Sequence, residues 1–529
     1  MKLLKKLSFL DFLFIAQLVV VGLVVTGVIP RAVVPYFVAI LAIYVLFASI
    51  ENATIFFIRS IPFFIAIPLT TSFDSLNTWR ILSGLIFIRW FFRKEILEQL
   101  LIGARLLFHK PIGFIKKYPV SSLLFPLLAL SILSIFKATD HVIAIKKVFF
   151  FVNLSLIGIV VFDLVRKKDG FVQRTIKNIA IPTILVALIG MVQLIFTYYV
   201  DIFQFVDFWT GKVELGLFGQ AWANTALHAN TWFAYFGDQL SLRMFSIFPD
   251  SHSFPIFLLL GLPSVLALSL YKVVQKNGSF RSMTRTRSSL LIVFVPVIFL
   301  AMILTGTRGI WAASIGALIV IFCAIYLLKR HKADKERKDI FKYVSSYIIF
   351  FFILFGVAYP IFASNQFEVA KSDSALLAKR VRSVIDITET SNARRIQIWE
   401  ASLKSIVRHP LLGVGIGNFP VVVGENLAQA KAGSSAHNLY LNIAAETGVL
   451  SLVLALWFLW LLLKKIYDNF LNEKEAYVLI YNAAALIYIS WVLFYSLTDP
   501  AIFDERAFLL FAVTVGLIFG IKKSPSWAE

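Results

Sequence analysis

A chain of 529 residues that is 59% hydrophobic and carries 52 phenylalanines has more apolar side chain than a soluble core can bury. Its net charge of +21 would suit a nucleic-acid partner, but the basic residues fall in short loops between apolar blocks, where they act as topology signals instead. The single cysteine, Cys323, lies inside one such block, so there is no disulfide framework.

The blocks run to roughly 17–25 residues, the length a helix needs to cross a hydrocarbon layer about 30 Å thick. Lipid offers the backbone no hydrogen-bond partners, which favours helices over loops or open sheets. The predicted fold is an all-α polytopic membrane protein with 12–14 transmembrane helices. In chain order the predicted spans are 9–29, 32–49, 54–71, 77–92, 120–136, 148–164, 177–199, 253–271, 289–304, 310–328, 343–363, 438–463, 477–497 and 506–521. The first follows a basic "MKLLKK" as a signal peptide would, but it is too long and no small-residue cleavage site follows, so it reads as a retained span. Arg59, Arg80 and Arg89 interrupt the third and fourth; without that pair twelve spans remain and both termini stay on one side. With the N-terminus cytoplasmic, the basic stretches "RKEILEQLLIGARLLFHKPIGFIKKY", "RKKDGFVQRTIK", "YKVVQKNGSFRSMTRTR", "KRHKADKERKDIFK" and "IKKSPSWAE" all fall inside.

The extracytoplasmic side then receives two long segments, 200–252 and 364–437, and short turns near 137–147, 305–309 and 498–505. Connections this long are usually functional. The aromatic stretch "FGQAWANTALHANTWFAYFGDQL" predicts that 200–252 is an interfacial segment lying against the membrane. In the large loop, Ile396, Trp399, Leu403 and Ile406 recur at helical spacing, which predicts an amphipathic helix that stops before Pro410. "GVGIGNF" follows; with no strand before it, it reads as glycine turns and not as a phosphate loop.

Charged groups gather on this outer side. Arg243, Asp250 and His252 stand just before the span at 253, Arg308 sits in the turn "LTGTRGIW", Arg394 and Arg395 lie in the large loop, and His437 heads the span at 438. An arginine in a tight outer turn runs against the charge rule; interfacial snorkelling is the plain alternative. Several guanidiniums on one surface also make a clamp for phosphate or pyrophosphate, since each fork binds oxygens in pairs. A histidine at a helix start is either a capping residue or a base able to take a proton near neutral pH. Asn438, Asn442 and Glu446 follow at intervals of four, and Glu446 reads as polar glue inside the bundle. There is no Asp-x-Asp, His-x-x-x-His or Cys-x-x-Cys, so neither metal nor cofactor is implied.

Taken in order, "R-x-x-x-I-F-P-D-S-H-S-F", "T-R-G-x-W", "H-P-L-L-G-V-G-I-G-N-F" after "R-x-x-x-W", and "H-N-L-Y-L-x-x-x-x-E-x-G" resemble the O-antigen ligase and Wzy-type polymerase superfamily over residues 200–450. "PDSHS" departs from the Pro-Asn common in that family, so Asp250 and His252 receive no role from it. The resemblance implies a GT-C-like membrane glycosyltransferase that is metal-independent and inverting. Its donor would be an undecaprenyl-pyrophosphate-linked glycan, its acceptor a glycan, lipid or protein hydroxyl, and its place the bacterial inner membrane. It also implies His437 as the general base, with Arg243, Arg308 and Arg394 or Arg395 on the pyrophosphate. Competing readings are a transporter or flippase, and a scaffold with decayed catalytic groups. A transporter usually places its site at mid-membrane between repeated halves, whereas here the polar residues cluster on one face and no repeat is evident.

Overall fold

The computed structural model describes residues 8–70, 76–228, 231–236, 239–277, 291–362, 364–367, 390–425 and 434–522. The predicted spans land on helices, and the protein is an all-α polytopic membrane protein. Among the described residues seven helices have the length and hydropathy to cross a bilayer. The pair Pro111–Lys117 and Ser121–Lys137, bent by 110°, makes an eighth if counted as one span, and Phe9–Val25, Arg31–Phe47 and Leu291–Leu304 are shorter apolar helices. The only sheet among the described residues is two small antiparallel hairpins, Ala66–Ile67 with Leu76–Asn77 and Phe233–Phe236 with Gln239–Leu242.

Two helices form the axis of the bundle. The apolar windows of Ser253–Tyr271 and Ala476–Tyr495 are 94% and 89% buried, against 22% for Val449–Asn472, which leaves the latter at the periphery. Small residues allow the closest crossings. A Cβ on Gly261 would meet Thr183 Oγ1 at 2.0 Å, and one on Gly516 would meet the Gly158 carbonyl oxygen at 2.2 Å.

Two predicted spans are broken, each for a local reason. Block 54–71 is a helix, Ile50–Ser60, that ends in a 3-10 turn holding Pro62, which cannot donate to continue the ladder. Arg59, which interrupts that block, is buried and donates to Asp11 Oδ1 and Asn178 Oδ1, both at 2.6 Å. Block 438–463 is two helices, Leu439–Thr447 and Val449–Asn472, parted at Gly448 with φ +93°. Loop residues wedge into that break: Val449 N donates to the Pro410 carbonyl at 2.8 Å, Val414 N to Ala445 at 2.9 Å and Gly415 N to Glu446 at 3.0 Å. Glu446 therefore sits at a helix break and not deep within one continuous span. Its carboxylate accepts from the backbone N–H groups of Gly417 and Phe419 and from the Asn442 side chain.

The glycine turns are thus a packing device. Gly415 has φ +98°, and a Cβ there would lie 2.4 Å from Ala138 Cα. Backbone strain and overpacking each cost about 1–3 kcal/mol. Gly415→Ala is expected to lower the melting temperature in detergent well below that of Gly424→Ala, whose φ is +72° but whose Cβ would meet nothing within 4 Å. Equal melting of the two variants would remove the packing argument.

The two long segments fold on themselves. Segment 200–252 forms short helices and the second hairpin, and its aromatic residues turn inward more than an interfacial strip would. Trp209 stacks on Phe205 at 5.2 Å and Trp232 on Phe245 at 4.7 Å, while Phe203 stays exposed. Buried Arg506 ties this region to the bundle by donating to the carbonyls of Ile247 and Phe64. The predicted amphipathic helix is present as Thr390–Arg408, but its inner face differs from the expectation. Ile398 and Ile406 pack on Phe419, Ala436 and Ala445, while Ile396 and Leu403 face outward.

Candidate active site

His437 is fixed by its neighbours on both sides. Asn438 caps the helix Leu439–Thr447, its Oδ1 accepting from Tyr440 N at 2.9 Å and Leu441 N at 3.1 Å. Leu439 N donates to the Ser496 carbonyl at 2.8 Å, fastening the helix start to the end of Ala476–Tyr495. On the other side Ala436 donates its N–H to Asn442 Oδ1 at 3.2 Å and accepts Trp399 Nε1–H at 3.0 Å. Between these anchors His437 has φ +46°, a left-handed conformation that costs a non-glycine residue about 1–2 kcal/mol. The surrounding bonds over-determine it.

The imidazole turns its Nδ1 inward, 3.6 Å from Asp499 Oδ2. That is just beyond ordinary hydrogen-bond length, and such contacts often tighten only when substrate is bound. Nδ1 is itself buried while the side chain is 41% exposed, so the open part of the ring is its Nε2 side. Asp499 comes from the turn after Ala476–Tyr495 and is buried. Burial pushes its carboxyl up, but His252, His437 and Arg395 outweigh that and hold it below the usual carboxylate range.

A second histidine reaches the same oxygen. Asp250 Oδ1 accepts the N–H groups of His252 and Ser253, both at 2.8 Å, and so caps the axial helix that begins at Ser253. This sets His252 with Nδ1 4.0 Å from Asp499 Oδ2 and Nε2 3.1 Å from Arg243 Nη2. Burial pushes the His252 imidazole down, Asp499 opposing and Arg243 adding to the effect.

Arg243 is held from several directions. Its Nε donates to the Thr305 carbonyl at 3.2 Å, and its Nη2 lies 3.4 Å from Thr307 Oγ1, which in turn donates to the Ser251 carbonyl at 2.8 Å. Burial pushes its guanidinium down to about 10, with the charge of Arg308 adding to the shift, and it stays protonated at neutral pH. Arg308 opens the helix Arg308–Arg330. The next residue, Gly309, brings this turn against the last hairpin, since a Cβ there would stand 2.3 Å from Thr498 Oγ1.

Four of the five expected site residues therefore converge. His437 and Arg243 meet around Asp499 and His252, Arg308 lies near enough for its charge to act on Arg243, and Arg395 near enough to act on both Asp499 and His252. Arg394, one residue earlier on the helix, is exposed. Asp499 is the residue that sequence reasoning missed. Its signal was an acidic side chain before a proline in a short outer turn, "TDP", in a loop noted only for its length.

Residues 290–456 match the model of the family described as O-Antigen ligase, Wzy_C. Over that stretch the chain is similar to the O-antigen ligase domain. The match takes in Arg308, Arg394, Arg395 and His437, which bears out the family read from the motifs. Arg243, His252 and Asp499 lie outside the matched residues and reach the ligase domain only through the fold. No curated protein matches the chain. The ligase domain supports an O-antigen ligase or polymerase type of glycosyltransferase in general, carried by a multi-pass membrane protein.

Proposed function

We propose that the protein moves a glycan from an undecaprenyl-pyrophosphate donor to an acceptor hydroxyl, without a metal and with inversion, on the extracytoplasmic face of the bacterial inner membrane. The observation that carries this reading is a histidine with its open Nε2 side and an Asp499-facing Nδ1, set beside a cluster of arginines. In the proposed step the acceptor oxygen attacks the anomeric carbon as the bond from that carbon to the pyrophosphate oxygen breaks. The hydroxyl proton passes to His437 Nε2, and the electron pair leaves on the polyprenyl pyrophosphate. A single displacement of this kind inverts the anomeric centre. Arg243, Arg308 and Arg395 stabilise the departing charge, the kind of fixed electrostatic contribution worth about 10²–10³-fold per donor removed. Acceptors would be a second lipid-linked glycan for a polymerase, or a lipid or protein for a ligase.

The test uses purified protein in proteoliposomes with labelled undecaprenyl-pyrophosphate glycan, with and without chelator. A ladder of longer glycans that persists in EDTA supports a metal-independent polymerase; a product formed only after adding a lipid or protein acceptor supports a ligase. No product with any acceptor, from folded protein, would refute the transferase reading. Within the same assay Arg395→Ala is expected to lower kcat/KM for the donor by about 10²-fold, while Arg394→Ala stays within about threefold of the native protein. Equal losses would show that the clamp does not distinguish the two arginines.

A further inference from the structure

Two imidazoles share one carboxylate oxygen, and only one of them belongs to the proposed proton transfer. We propose that His252 is a positioning residue that couples the donor-clamping Arg243 to the Asp499–His437 pair and so keeps the Nε2 of His437 free to accept a proton. The inference rests on the transferase reading for its kinetic part and on geometry alone for its chemical part.

The chain of protons follows from donor inventory. A guanidinium has only N–H groups to offer, so His252 Nε2, 3.1 Å from Arg243 Nη2, is an acceptor. A neutral imidazole that accepts at Nε2 carries its hydrogen on Nδ1. His252 Nδ1 lies 4.0 Å from Asp499 Oδ2, the same oxygen that lies 3.6 Å from His437 Nδ1. The carboxylate cannot donate, so the hydrogen of His437 also belongs on Nδ1 and its lone pair on Nε2. One ordered path then runs from the cationic clamp to the base.

Sharing also tunes the base. The charged and titratable groups around His252 are Asp499, Arg243, Asp250 and Arg395, with the Tyr495 hydroxyl acting on the same carboxylates; Asp499 faces His252, His437 and Arg395. With His252 in place, two imidazoles face the Asp499 carboxylate, their Nδ1 atoms 3.6 and 4.0 Å from Oδ2. Without it, the negative charge acts on His437 with less competition and favours the protonated ring, which is the inactive form of a base. Arg243 loses a partner at the same time.

The experiment needs two readouts on the native protein, His252→Ala and His252→Gln, with His437→Ala as the blank. The first is the pH dependence of His437 carbethoxylation by diethyl pyrocarbonate, followed by peptide mass spectrometry in proteoliposomes; it requires no substrate. The second is kcat and donor KM across pH. His252→Ala is expected to move the His437 labelling midpoint upward by about half a unit or more, to move the acid limb of kcat/KM with it, and to raise donor KM several-fold. His252→Gln, whose amide can accept from Arg243 and donate to Asp499, should restore most of each. An unchanged labelling midpoint in His252→Ala overturns the proposal. So does a uniform loss of kcat in both variants with no movement of the limb, because that is what a merely structural residue would give. A shifted midpoint in a protein that transfers no glycan would leave the coupling standing and remove the transferase reading instead.

Discussion

His437→Ala is expected to reduce glycan transfer by about 10²–10⁴-fold, the contribution of a positioned general base, while the protein remains folded in detergent. The fold should survive because the bonds that shape this corner run through the backbone of Ala436 and Leu439 and the side chains of Asn438 and Asn442, none of which needs the imidazole. The φ of +46° sharpens the test. His437→Gly removes the side chain that makes that conformation costly, so it should be inactive and yet as stable as the native protein, or more stable by about 1 kcal/mol. Parallel measurement of product ladders and thermal melting checks both claims. An active glycine variant would show that the base is another group.

Asp499→Asn should cost nearly as much, about 10²-fold or more in kcat, with little change in donor KM. An amide in place of the carboxylate can present N–H toward His437 Nδ1, which would push the hydrogen of the ring to Nε2 and block the lone pair the reaction needs; a substituted triad carboxylate acts by the same route. The pH dependence has a definite sign. The Asp499 carboxyl is held below its ordinary value by His252, His437 and Arg395 despite burial. It therefore stays ionised throughout the working range, and the stability it contributes is present above the ordinary carboxylate value and lost as pH falls through its lower folded value. Native protein should accordingly keep its melting temperature down to pH 5 as far as this group is concerned. If Asp499→Asn kept native kcat, the carboxylate would have no part in setting the ring.

The membrane architecture was legible because apolar block length answers directly to bilayer thickness, and each predicted block from 9 to 521 is helical in whole or in part. What escaped was where blocks break. Gly448 looks innocuous within "ETGVLSLV", and only the loop carbonyls of Pro410 and Leu411 that press on it explain the interruption. The inner face of Thr390–Arg408 was misjudged for a similar reason, since spacing identifies an apolar stripe but not which neighbours cover it. Of the site, the arginines and His437 stood out as charge in the wrong place for a greasy chain. Asp499 did not, because a lone acid beside a proline is ordinary in a turn, and its separation of 62 residues from His437 hides the contact that gives it meaning. Adjacent Arg394 and Arg395 were inseparable by sequence, as neighbouring helix positions point in different directions.

The contact between His437 and Asp499 has a consequence for biosynthesis. Asp499 stands between the helices Ala476–Tyr495 and Glu505–Gly520, the last pair in the described chain. Insertion proceeds from the N-terminus, so the arginines and the histidine emerge before the carboxylate that faces the ring. On the proposed reading, a nascent chain holds every earlier part of the site and is complete only once the hairpin that carries Asp499 has entered the membrane.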